Sequence, residues 1–145
     1  MAFIHVRGPG KTEPFGKIAS TLIAAGSVLA FYSTGYVSQA LAQSTRLVGV
    51  ALGKVAAADG DYASNTEIPV IIPSEDDVFE ADVSGTATQA NVGQQYDLTT
   101  TAAGTAQAVN LSGKTNQVVT VVGFISSSKV LVKFNGNYAF ANKDN

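Results

Sequence analysis

Short apolar runs alternate with turn-forming residues along most of the chain, at intervals of roughly eight to twelve positions. Ser20–Ile23 is followed by Ala25-Gly26, and Val28–Tyr32 by Ser33-Thr34-Gly35; Tyr36–Gln39 and Leu47–Leu52 come next. After the turn cluster Ala58-Asp59-Gly60-Asp61 the runs are Glu67–Ile72, Val78–Val83, Gln95–Thr99, Val118–Phe124 and Lys129–Phe134. In the last of these, Val130, Val132 and Phe134 alternate with Lys129, Leu131 and Lys133, the period of a strand with one face on a core. Val78–Val83 reads the same way, with Glu80 and Asp82 outward. Regular spacing of short β runs predicts an all-β fold: a single barrel or sandwich domain with jelly-roll-like connections over residues 17–134.

Helical signals are weak. Gly49 and Gly53 interrupt the alanine- and leucine-bearing stretch Thr45–Ala58, each at a cost of about 1 kcal/mol in a helix. Both glycines fit a strand that bends or two backbones that approach closely. A helical turn or two over Ser38–Thr45 is the most the pattern allows. Thr99–Thr105 reads as a loop.

Residues 1–16 differ from the rest. Gly8-Pro9-Gly10 and Pro14 argue against a helix or a central strand, so the segment predicts an extended N-terminal arm. Phe3, Ile4, Val6 and Phe15 are too apolar for a solvated tail. Such an arm needs a surface, either its own barrel or a neighbouring subunit. The second reading makes these four the candidate contact residues, on an arm dispensable for folding. Residues 135–145 form a C-terminal tail.

Composition narrows the function classes. The chain has 145 residues, one ordinary domain, and no cysteine, which removes disulfides and thiolate metal sites. Charged residues are 14% and the net charge is −2, without the basic footprint of a nucleic-acid binder. So little charge fits a surface covered by other proteins, or a β domain whose surface is polar through Ser, Thr and Gly. The run Ile18–Phe31, after Lys17, mimics a secretory signal with Ala40-Leu41-Ala42 as its cleavage site. Acidic Glu13 before it and the break at Ser33-Thr34-Gly35 argue for a soluble, uncleaved chain with no membrane span.

Catalytic and metal-binding patterns are sparse. The one histidine, His5, lies in the glycine- and proline-flanked segment, a poor place for a triad base. Gly10-Lys11-Thr12 ends like a phosphate-binding loop but has His5 where that loop needs its first glycine. Glu75, Asp76, Asp77 and Glu80, and separately Asp59 and Asp61, offer carboxylates for calcium or for glycoside hydrolysis, without the spacing of an EF-hand. The expectation is a non-enzyme without cofactor or metal.

A series of motifs adds a resemblance: Leu47-Val48-Gly49-Val50-Ala51, Ala56–Gly60, Ile68–Pro73, Asp77–Gly85, Asn91–Leu98, Val121–Phe124 and Lys129–Phe134. Their order, over roughly Ser20 to Phe134, resembles the small head decoration or cement proteins of tailed bacteriophages, capsid-stabilising proteins encoded beside the major capsid protein. The resemblance implies a structural virion protein on the outer surface of the capsid, made in the bacterial host cytoplasm. It also implies a homotrimer whose partner is the major capsid protein. The segments before Gly16 and after Phe134 have no counterpart in it. The alternatives are a tail- or fibre-associated β module binding host carbohydrate, a small glycosidase using Glu75, Asp77 or Glu80, and a secreted bacterial β module.

Overall fold

The computed structural model describes residues 2–40, 47–99 and 104–135. In chain order the strands are β1 (Phe3–Arg7), β2 (Thr12–Gly16), β3 (Val28–Phe31), β4 (Val37–Gln39), β5 (Leu47–Ala51), β6 (Glu67–Ile71), β7 (Val78–Ser84), β8 (Gln95–Leu98), β9 (Val109–Asn110), β10 (Val119–Ser126) and β11 (Lys129–Phe134). A 3-10 turn at Gln89–Asn91 is the one helical element among the described residues. The protein is all-β. Each apolar run from Val28 to Phe134 carries a strand. Ser20–Ile23 does not, because Ser20 takes a positive φ of 56° and only Ile23 bridges, to Val55. The helical turns weighed over Ser38–Thr45 begin on β4 and pass outside the described residues at Leu41. The C-terminal tail lies outside them from Gly136 onward.

Five strands make a closed barrel. β7, β11, β10, β8 and β9 pair in that order, and β9 returns to β7 through Val83–Val109 and Ser84–Asn110. β1 lies antiparallel along the earlier part of β7. The second sheet runs β2-β6-β5-β3-β4, antiparallel throughout. It curls until its ends meet: Lys17 bridges Val37, and Ile18 N–H donates to the Val37 carbonyl at 3.0 Å. The chain therefore crosses between sheets only twice, from β1 to β2 and from β6 to β7. A jelly roll crosses at nearly every connection. Here barrel and sandwich-like packing are both present with simpler connections, built from near neighbours whose closure costs less chain entropy.

The core explains which runs looked continuous. Phe3, Phe79, Tyr96, Leu98, Val119, Val121, Val130, Val132 and Phe134 fill one cluster, joined by Val28, Ala30, Leu47, Val50 and Ile71 from the second sheet. Ile23, Leu29, Val37, Val48, Ala51, Val55 and Val70 form another on that sheet's far face. β3 and β5 are thus covered on both sides, so Val28–Phe31 and Leu47–Ala51 show no alternation. Gly49 is required there, because a Cβ would fall on the Ile71 carbonyl oxygen. Gly53, expected to serve similarly, faces open space.

Residues 1–16 depart furthest from expectation. β1 pairs with β7 from Phe3–Ala81 to Arg7–Val78, and β2 with β6 from Thr12–Ile71 to Gly16–Glu67. The segment is no free arm: it contributes one strand to each sheet. Pro14 fits because it sits opposite Pro69 on a strand whose other edge is largely open. Gly8-Pro9-Gly10 is simply the turn between the two.

Candidate functional site

The four predicted contact residues divide into two pairs. Phe3 is fully buried (0% exposed), its ring centroid 5.4 Å from Phe134, which stands 5.2 Å from Phe79. Phe15 is partly buried and meets Phe31 edge-on at 5.6 Å, beside the second core cluster. These two are internal packing residues and are withdrawn as contact candidates. Ile4 and Val6 point the other way, 39% and 46% exposed. The alternation Phe3/His5 inward, Ile4/Val6 outward is that of any half-buried strand. Prolines and glycines nearby had masked it.

Both crossings between the sheets are tied to one carboxylate. Asp77, fully buried, ends the β6–β7 connection. Its Oδ1 accepts from His5 Nε2 at 2.8 Å and from Gly10 N–H at 2.9 Å, both on the first crossing. Its Oδ2 accepts from Ser74 N–H at 2.8 Å and Ser74 Oγ at 3.0 Å, on the second. Gly8, at φ 106°, passes so close that a Cβ would strike the Asp76 carbonyl and Asp77 itself. Burial alone pushes the Asp77 carboxyl up, but the bonds from Ser74, Gly10 and His5 outweigh it and hold the group below the usual carboxylate range. In a hydrolytic triad the histidine stands between carboxylate and hydroxyl. Here the carboxylate stands between His5 and Ser74, the arrangement of a staple.

The remaining acidic candidates are dispersed. Glu75 and Asp76 are exposed in the turn before Asp77. Glu80 faces outward from β7, where Lys129 Nζ lies 3.6 Å from it and 2.7 Å from Asp82. The Asp82 hydrogen bond and charge, with a lesser share from Glu80, raise the Lys129 ammonium above the usual lysine range. Asp59 Oδ2 accepts from Ala56 N–H at 2.8 Å, closing a turn. No group of three metal-type side chains converges among the described residues. A shallow concavity of about 350 Å³ is lined by Leu22–Ala25, Lys54–Ala56 and Gly104 and contains none of these carboxylates.

Sequence reasoning missed the most apolar outer surface. Val122, Phe124 and Ile125 on β10 are 38%, 41% and 43% exposed. The pattern marked Val118–Phe124 as an ordinary strand, but the register shifts between Val121 and Gly123 and again between Phe124 and Ser126. Each shift is a bulge that re-aims side chains. Charge is distributed to match. Eight of the 11 acidic residues lie between Asp59 and Asp82, whereas from Val83 to Ser128 the only charged residues are Asp97 and Lys114. Asp97 is buried and accepts from the backbone N–H groups of Thr115, Asn116 and Gln117. Lys114 alone is an exposed charge in that stretch.

Fold and surface together define an all-β protein with a closed barrel, acidic between Asp59 and Asp82 and nearly uncharged from Val83 to Ser128. No protein-family model and no curated protein matches the chain.

Proposed function

We propose that the protein is a structural subunit of a tailed-phage head, a decoration protein that binds the outside of the assembled capsid and bridges neighbouring major capsid proteins. The observation that carries this reading is the set of large apolar side chains on the exterior: Val122, Phe124 and Ile125 on β10, in a stretch with little charge, and Ile4 and Val6 on β1, beside the outward Glu80. Large side chains grouped on an exterior favour contact with protein surfaces. The ordered motifs between Leu47 and Phe134 supply the viral context. The subunit acts mechanically, without a cofactor and without touching nucleic acid or membrane, and the resemblance adds a homotrimer. A protein that binds only the assembled lattice stabilises that state by mass action. Several contacts from one oligomer raise avidity over single-site affinity by about 10²–10⁴.

Co-sedimentation is the test. The protein is expected to pellet with mature, expanded heads and to stay in the supernatant with free capsid subunits. Equal binding to both, or to neither, overturns the reading.

A further inference from the structure

Past its pairing with β8, the backbone edge of β10 is flanked by the chain itself. Ala87 N–H donates to the Ser127 carbonyl at 2.8 Å and Gly93 N–H to the Val121 carbonyl at 2.7 Å, so the segment between them lies along that edge. What β10 offers a partner is therefore side chains: Val122, Phe124 and Ile125, turned outward by the two bulges. Apolarity alone fits many occupants. The charge beside these residues is more selective.

Gln94 stands at the head of this stretch, its carbonyl accepting from Val121 N–H at 3.0 Å. Its side-chain Oε1 accepts from Lys114 Nζ at 3.1 Å. The same ammonium lies 5.4 Å from the centroid of the Tyr96 ring, whose hydroxyl accepts from Asn91 Nδ2 at 2.7 Å. An amide and an aromatic face, both neutral, thus hold Lys114 in place, and it is in no ion pair among the described residues. The other charges nearby are already committed. Asp97 turns inward, its carboxylate taken by the N–H groups of Thr115, Asn116 and Gln117. Lys129, Asp82 and Glu80 form their own cluster where β11 meets β7.

We infer that Lys114 is the charged anchor of the β10 contact and takes a carboxylate, an Asp or Glu side chain set among apolar residues on the capsid protein. This rests on the capsid reading above and gives the partner surface its chemistry. A neutral partner closing over Gln94 and Val122 would strip water from an ammonium and return nothing of opposite charge. A basic partner is repelled. A carboxylate answers the charge at a position already fixed by Gln94 and Tyr96, so little side-chain freedom is lost on binding. The apolar side chains then supply the packing, and Lys114 supplies the choice of partner.

Crosslinking on decorated heads tests the pairing directly. A water-soluble carbodiimide activates a carboxyl group; an adjacent amine then displaces it, forming an amide as the reagent leaves as its urea. The treatment is expected to join Lys114 Nζ to an Asp or Glu of the capsid protein, identified by mass spectrometry of the linked peptides. In the pelleting assay Lys114→Arg should bind as the wild type does. Lys114→Met and Lys114→Glu should each bind more weakly, the charge reversal by roughly tenfold or more. Lys114 is exposed, and circular dichroism of each variant confirms the fold first. Wild-type-like pelleting of Lys114→Met or Lys114→Glu overturns the inference and leaves the capsid reading standing. A Lys114 crosslink to an acidic residue of a second copy, or crosslinks through other lysines only, also overturns it. Wild-type protein that stays in the supernatant overturns both.

Discussion

The N-terminal segment and the end of β10 both show apolar residues without an obvious cover, and they resolve in opposite ways. In residues 3–16 prolines and glycines suggest irregularity, yet the chain is paired to β7 and β6 along both strands. Half of its apolar side chains are core. In Val119–Ser126 the sequence reads as a smooth strand, yet two bulges turn three large side chains toward solvent. Sequence irregularity and structural exposure are therefore different properties here. Proline reports which backbone group is missing; what covers a strand is decided by its neighbours.

Truncation breaks the comparison hardest. A chain beginning at Lys17 loses β1, β2, Phe3 and both of the bonds to Asp77 from the first crossing. Phe3 alone is worth about 3–5 kcal/mol by the cost of Phe→Ala in a core, a large part of a domain's stability of about 5–15 kcal/mol. No cooperative thermal transition is expected in the truncated chain. A sharp wild-type-like transition would restore the arm.

The next effect is at Asp77. Asp77→Ala leaves His5, Gly10 and Ser74 donors unpartnered in a buried site and is expected to cost about 2–4 kcal/mol in denaturant unfolding. The pH dependence follows from the lowered carboxyl. The unfolded chain takes up the proton more readily than the folded one, so this contribution is complete above the ordinary aspartate range. It is lost as pH falls from about 5 through the depressed folded value. Asp77→Asn should flatten that part of the acid stability profile. An unchanged profile would deny the staple its role.

The smallest effect sharpens the contrast within β1. Replacing Ile4 and Val6 together by Ser changes only exposed side chains and should shift stability by about 0.5 kcal/mol or less per site. Under the proposed function the same double variant loses head binding in the pelleting assay. A loss of stability comparable to that of Phe3→Ala would mean that the outer face of β1 is not an outer face.

Much of this fold was legible. The strands from Val28 to Phe134 followed from spacing and β-branched content, and β11 followed residue by residue from its alternation. Two-sided burial was not legible in Leu47–Ala51, because a continuous apolar run also fits a buried helix segment. β9 is two residues long and carries no periodic signal. The staple was invisible for another reason. Asp77 lay in an acidic turn that reads as a solvated loop, and two of its three donor residues, His5 and Gly10, sit 72 and 67 positions away in sequence. Ile4 and Val6 were singled out by apolarity, and the structure leaves both exposed. Phe3 and Phe15 were swept in with them because strand alternation was discounted beside Pro14. Val122, Phe124 and Ile125 left no trace, since a bulge depends on register against β11.

Hydrogen exchange on the full-length protein tests most directly whether residues 3–16 belong to the folded body. Amides that pair β1 with β7 and β2 with β6 are predicted to be as protected as those within β10–β11, opening only with the whole molecule. Fast exchange throughout β1 and β2, with the barrel still protected, would contradict the account.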